Sequence, residues 1–229
     1  YLYNVKVLNS EGYGYDSWVI SGVEWAVEHG ADIISMSLGG WSAVPPEEDP
    51  LVLALNVAID HGVVCVVSAG NDGWGYFTLG TPAFASKVIT VGATTETDEL
   101  AFFSSRGPEE YGLHAKPDIL APGTCIVAAF AGFATFEEVL GVQVFYWELS
   151  GTSMATPHVA GAAALLLQAF PGASPYAVKS AMMLSAKDLG LDPMAQGAGR
   201  LDVAKAYEVM TLAPKENWSA TIPTNNVTL

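Results

Sequence analysis

Val63-Val64-Cys65-Val66-Val67 runs through five positions without one polar residue, and Ser68-Ala69-Gly70-Asn71-Asp72-Gly73 follows it directly. A strand that faces solvent on one side alternates apolar and polar residues, because successive side chains point to opposite faces. A run that is apolar at every position fits a strand covered on both faces instead. That is the situation of a central strand in a parallel sheet layered by helices. The glycine-bearing loop after it then falls at the strand's carboxyl end, where open parallel sheets bind their ligands.

The flanking sequence supports this reading. Residues 3–8 and 32–37 read as strands and residues 16–28 and 49–60 as helices, which is the rhythm of βαβ units. Asp49 before Pro50 is an N-cap followed by proline at the first helical position, and Gly30 and Gly62 stand where helix ends favour positive φ. Residues 87–94 and 125–130 read as further strands and residues 152–170 as the main buried helix. Ser174-Pro175 opens a helix reaching about residue 185, and Asp202 caps a last one ending near residue 210. The fold class is therefore α/β with a mostly parallel central sheet, in one domain spanning residues 1–212. Residues 213–229, rich in Pro, Asn, Thr and Ser, read as a linker or the start of a further module.

Composition narrows the function. The 229 residues are 51% hydrophobic, enough for a large core, and carry a net charge of -15 from 24 acidic and 9 basic side chains. That balance argues against nucleic acid or an anionic membrane as partner and suits a secreted protein. No apolar run reaches the roughly 20 residues of a membrane span. Tyr1 opens directly into strand-like sequence with no signal peptide, so the chain reads as truncated upstream. Cys65 and Cys125 both lie in apolar segments and read as buried free thiols rather than a disulfide. Asn217-Trp218-Ser219 and Asn226-Val227-Thr228 match the short glycosylation pattern, which matters only in a secretory organism.

Three loops concentrate residues able to do chemistry. Gly151-Thr152-Ser153-Met154-Ala155-Thr156-Pro157-His158 sets a serine at the mouth of a small-residue helix, where unpaired N–H groups and the positive dipole end would stabilise an oxyanion. Asn71 could donate from its carboxamide to the same charge, although an ordinary glycine turn explains it as well when taken alone. Ser37-Leu38-Gly39-Gly40 and Ser68-Ala69-Gly70 are small and permit close approach, so an extended peptide could pair along them. The same residues would also serve as plain turns.

Taken together, these segments resemble the subtilisin-like serine proteases from Tyr3 to about Met210. Val5-Lys6-Val7-Leu8, Gly22-Val23-Glu24-Trp25-Ala26, Ser35 to Gly40, Ser68 to Asn71, Val88 to Ala93, Phe103 to Pro108, Lys116 to Gly123 and the Ser153 segment occur in family order. The resemblance implies a three-layer subtilisin-like fold, N-terminally truncated. It implies Ser153 as nucleophile, Asn71 as oxyanion donor, and Ser37, Leu38, Gly39, Gly40, Ser68, Ala69 and Gly70 as the walls that hold substrate. Pro157 and His158 match structural positions.

The chain also departs from the family. The order of the triad in subtilisins is Asp, His, Ser, and the Asp-Thr-Gly and His-Gly-Thr-His blocks precede the strand that here starts at Val5. The catalytic aspartate and histidine are thus absent from these residues. His29 and His61 sit at helix ends, His114 in a polar loop, and His158 five residues beyond Ser153, where it points away. Residues 131–148 are longer than the family's usual connection and carry Phe133, Phe136, Phe145, Tyr146 and Trp147, which read either as shaping the substrate cleft or as a hairpin packed on the body. The family's tight calcium site lies upstream, so no cofactor is required here. Calcium is allowed only as a weak structural ion near Thr81 to Phe84. The expected function is a serine endopeptidase acting on extended peptides, inactive as this chain alone and completed by the N-terminal part of the catalytic domain. It would be secreted or at the cell surface. The alternative is a noncatalytic binding or scaffold protein derived from such an enzyme.

Overall fold

The structure, a computed structural model, describes residues 1–108, 114–129 and 146–214. Its helices and strands are α1 (Asp16–Glu28), β1 (Ile33–Met36), α2 (Pro50–Asp60), β2 (Val64–Ser68), β3 (Ile89–Thr94), β4 (Ile119–Pro122), β5 (Ile126–Ala129), β6 (Tyr146–Leu149), α3 (Thr152–Ala169), α4 (Pro175–Ser185), α5 (Pro193–Gln196) and α6 (Val203–Leu212). β2 is buried along its whole length, and its side chains go alternately to two separate cores. Val64 and Val66 pack with β3, β4, α3 and α4, while Cys65 and Val67 pack with α1 and α2. The unbroken apolar run is thus the signature of two helical layers, one on each face.

β1, β2, β3 and β4 form one parallel sheet in that order, with Ile33 opposite Val64, Val66 opposite Ile89 and Val91 opposite Ile119. The helix ends follow from local chemistry. Asp49 Oδ1 accepts from Leu51 N (2.9 Å) and Val52 N (3.1 Å) to start α2, Ser174 Oγ accepts from Ala177 N (3.2 Å) to start α4, and Asp202 Oδ1 accepts from Lys205 N (3.0 Å) to start α6. Gly30 (φ 72°) and Gly62 (φ 95°) take the positive φ that ends α1 and α2. Among the described residues, no helix is long and apolar enough to cross a membrane.

Four expectations change. Residues 3–8 make no strand: Val5 and Val7 instead pack their side chains on α1, where a Cβ at Gly22 would stand 2.4 Å from Val7 Cγ1. A cleft separates this segment from β1, so it has no ladder to join. The fourth sheet strand is β4, and residues 126–129 pair antiparallel with β6 outside the main sheet. Between Pro117 and Pro122 the apolar run of β4 is too short for periodicity to show. Cys65 is buried as expected, but Cys125 is exposed, held at φ 53° in the turn between β4 and β5. Phe133, Phe136 and Phe145 and residues 215–229 lie outside the described residues, and Tyr146 and Trp147 stand on β6.

Candidate active site

Three loops meet beyond the carboxyl ends of β1 and β2. Thr152, the first residue of α3, is fully buried and joins them: its Oγ1 accepts from Gly70 N (3.2 Å) and donates to Asn71 Oδ1 (3.0 Å). Thr152 N donates to the same Oδ1 (2.9 Å). With Oδ1 holding two donors, the carboxamide has one orientation and its Nδ2 is left to donate elsewhere.

A methyl group built on Gly151 would stand 3.6 Å from Asn71 Nδ2 and 3.6 Å from Ser153 N. Ser153 N is one of the orphan donors of the first helical turn and makes no backbone hydrogen bond. Asn71 Nδ2 and Ser153 N thus both lie within 3.6 Å of one point beside Gly151. An oxygen that gains negative charge is held by donors about 2.7–3.1 Å away.

Pro157 explains a further tie. It has no N–H to offer the carbonyl four residues back, which is that of Ser153. This carbonyl accepts instead from Ser37 Oγ (2.8 Å), so the loop after β1 is fastened to the serine turn through an acceptor that α3 leaves free. The loop after β4 is fastened as well: Gly123 O accepts from Gly151 N (2.8 Å), and Gly123 N donates to Thr94 O (2.9 Å).

The remaining residues named from sequence divide by how their backbone is used. Gly40 is paired with Thr81 through both its N–H and its carbonyl (2.9 and 2.8 Å), Ala69 N donates to Val91 O (2.9 Å), and Ser68 is buried in β2. Leu38 and Gly39 make no backbone–backbone hydrogen bond among the described residues. Ser37 and Gly39 are exposed and Leu38 is half-buried. Two residues that sequence reasoning passed over turn out to be supports: Thr152, and Ser105, whose N–H donates to Gly70 O (3.0 Å) while its Oγ accepts from Asp72 N (3.1 Å). Both are buried polar side chains within the quoted blocks, and only the fold reveals their partners.

Three of the histidines are tied to their own helices rather than to Ser153. Nδ1 of His29, His61 and His158 is hydrogen-bonded to the carbonyl of Trp25, Val57 and Met154, each on its own helix. Among the described residues, no side chain hydrogen-bonds to Ser153 Oγ. Beside the site opens a cleft of about 1450 Å³ lined by Val5 and Val7, by Ile33 and Met36 of β1, by Ala164 of α3 and by Ser37.

The model of the subtilase family, Peptidase S8, matches residues 1–199. The chain belongs to the subtilase family. Serine protease AprX of Bacillus subtilis (strain 168) is 41% identical over 223 residues, covering 88% of this chain and 50% of that relative. Subtilisin DY of Bacillus licheniformis is 39% identical over 209 residues, covering 90% of this chain and 68% of that relative. The chain thus spans from half to about two-thirds of the length of these subtilases. Among solved structures, the prenylagaramide maturation protease PagA matches with a TM-score of 0.70 at 29% identity, covering 87% of this chain and 69% of that one. The parallel sheet with helices on both faces is the subtilase architecture, as the ordered sequence blocks imply.

Proposed function

We propose that this chain is the nucleophile-bearing part of a secreted or cell-surface serine endopeptidase. Ser153 Oγ attacks the scissile carbonyl, and Asn71 Nδ2 with Ser153 N holds the resulting oxyanion while an acyl-enzyme forms and is hydrolysed. The observation that carries this reading is the convergence of those two nitrogens on one spot beside Ser153. An extended peptide lies against Ser37, Leu38 and Gly39, where two residues keep free backbone groups. Gly40, Ser68, Ala69 and Gly70, whose backbone is largely committed inside the protein, shape the wall.

The general base and the acid that orients it come from a polypeptide segment outside these 229 residues, which fills the cleft beside Ser37. A volume of about 1450 Å³ exceeds the roughly 300–1,000 Å³ of small-molecule pockets, and the strand β1 lines it. β1 is the sheet's edge, and Ile33-Ile34-Ser35-Met36 carries no charge or proline to keep another strand away. Without that segment Ser153 has no proton acceptor and is a poor nucleophile.

The alternative is a noncatalytic peptide-binding protein derived from a subtilase, and one experiment separates the two. A fluorophosphonate should label Ser153 only when a segment carrying an Asp and a His in subtilase order is supplied, in the full-length protein or as a separate fragment. Strong labelling of this chain alone would refute its inactivity. Absence of labelling in the complemented protein would favour the binding protein.

A further inference from the structure

At the amino ends of β3 and β4, the opposite end of the sheet from Ser153, lies a buried ionic cluster that the proposed chemistry does not use. Asp118 Oδ2 accepts from Thr90 N (2.7 Å) and from Lys116 Nζ (2.7 Å), and Oδ1 pairs with Lys179 Nζ (2.9 Å). Lys116 Nζ also donates to Thr90 Oγ1 (2.9 Å) and Val88 O (3.3 Å). Lys179 Nζ reaches Ser86 O (2.8 Å) and Val88 O (2.7 Å). The side chains of Lys116 and Asp118 are 3% and 6% exposed, so water contributes almost nothing to their solvation.

The neighbouring turn is where the sequence allowed a weak structural calcium, and these groups do not fit one. Calcium takes about six to eight oxygens at roughly 2.3–2.6 Å. Ala83 O, in that turn, is taken by Thr90 Oγ1 (2.6 Å), both oxygens of Asp118 already hold ammonium groups, and the described residues offer no cluster of three metal-ligating side chains. Around Lys116 Nζ stand three acceptors, Val88 O, Thr90 Oγ1 and Asp118 Oδ2, and an ammonium group carries three donors and no acceptor. The match in number leaves none of these acceptors to water, which cannot reach them.

We infer that this cage is an internal cation site whose resident ion is the protein's own Lys116 ammonium, which makes the joint between β3 and β4 independent of metal. A free ammonium ion should then occupy the cage once the side chain is cut back.

The test compares thermal unfolding of the chain with those of Lys116→Ala and Lys116→Met at pH 6, in ammonium chloride, tetramethylammonium chloride and calcium chloride at matched ionic strength. Lys116→Ala should unfold about 3–12 °C lower than the parent, the loss expected for a charged hydrogen-bonding group in a chain of this size. Ammonium should restore at least half of that shift in a saturable way, tetramethylammonium should not, and the chain with Lys116 should show no ammonium-specific gain. Equal recovery in all salts, or recovery by calcium in preference to ammonium, would overturn the inference. Should Lys116→Ala fail to fold, 15N NMR of the unsubstituted chain decides. A Lys116 ammonium resonance slow to exchange with water at pH 6 and absent from Lys116→Met supports the cage, and rapid exchange refutes it.

Discussion

Gly151→Ala separates the proposed chemistry from the fold. A Cβ at this position meets no atom closer than 3.6 Å, its neighbours being Asn71 Nδ2 (3.6 Å), Ser153 N (3.6 Å) and Met154 Sδ (3.7 Å). The backbone there is extended (φ 161°, ψ 159°), so alanine adopts it without strain, and the change in folding stability should stay within about 1 kcal/mol. An oxyanion, however, must sit about 2.7–3.1 Å from the same two nitrogens. A carbon in van der Waals contact with both competes with it for that space. One such donor is worth on the order of 10²–10³ in kcat, about 2.7–4 kcal/mol of barrier, a magnitude measured on a subtilisin and so on a relative of this chain. The methyl obstructs two donors, so kcat/KM of the complete enzyme on a peptide anilide should fall at least about 100-fold while the urea midpoint barely moves. A variant that folds normally and keeps kcat/KM within about threefold of the parent would refute the placement of the oxyanion between these nitrogens.

Further outcomes follow from the same geometry. Asp49→Ala removes the acceptor of two α2 N–H groups and of Ser42 Oγ from a buried position, and should cost about 1–2 kcal/mol in urea unfolding. Ellman's reagent should titrate only Cys125 in the native chain. Burial pushes the Cys65 thiol up to about 12, so the second equivalent should appear only on unfolding. Burial and the Lys179 ammonium push Lys116 down to about 7 against the pull of Asp118, from an ordinary 10.5. Lys116 thus fills the cage as an ammonium only below about pH 7. Between those two values the unfolded chain binds more protons, so stability should rise with pH from about 7 to 10.5, by at most about 1.4 kcal/mol per unit, and Lys116→Met should flatten that slope. Burial alone would raise the Asp118 carboxyl, but the Lys116 and Lys179 ammoniums outweigh it and hold it below the usual carboxylate range. Its contribution, present above the ordinary carboxylate pKa, should be lost as pH falls through the lowered value, which an acid titration of the unfolding free energy would show.

How much of this was legible in the sequence depended on where each residue's partners lie. β2 was readable because burial on two faces removes every polar residue from a strand, and α2 because Asp49, Pro50 and Gly62 act on their own helix. Residues 3–8 misled because alternating valines describe packing against α1 as well as they describe a ladder, and a strand is defined by a neighbour that local sequence does not contain. β4 escaped notice because four residues between prolines carry no period. Ser153 and Asn71 were singled out through their sequence blocks. The ties between their loops were not legible: Thr152 Oγ1, which joins Gly70 to Asn71, and Pro157, which frees the Ser153 carbonyl for Ser37, act across more than 80 residues of chain. Lys116 stood in the sequence only as the first residue of a family block, and its partners Val88 O, Thr90 Oγ1 and Asp118 Oδ2 are set by the fold.

The central claim is that Asn71 and Ser153 hold one oxygen between them. A crystal structure of the complete protein inhibited by a fluorophosphonate tests it most directly. The phosphonyl oxygen should lie within about 3.1 Å of both Asn71 Nδ2 and Ser153 N, with phosphorus bonded to Ser153 Oγ. An adduct on Ser153 whose oxygen points to solvent, away from Asn71, would contradict the account.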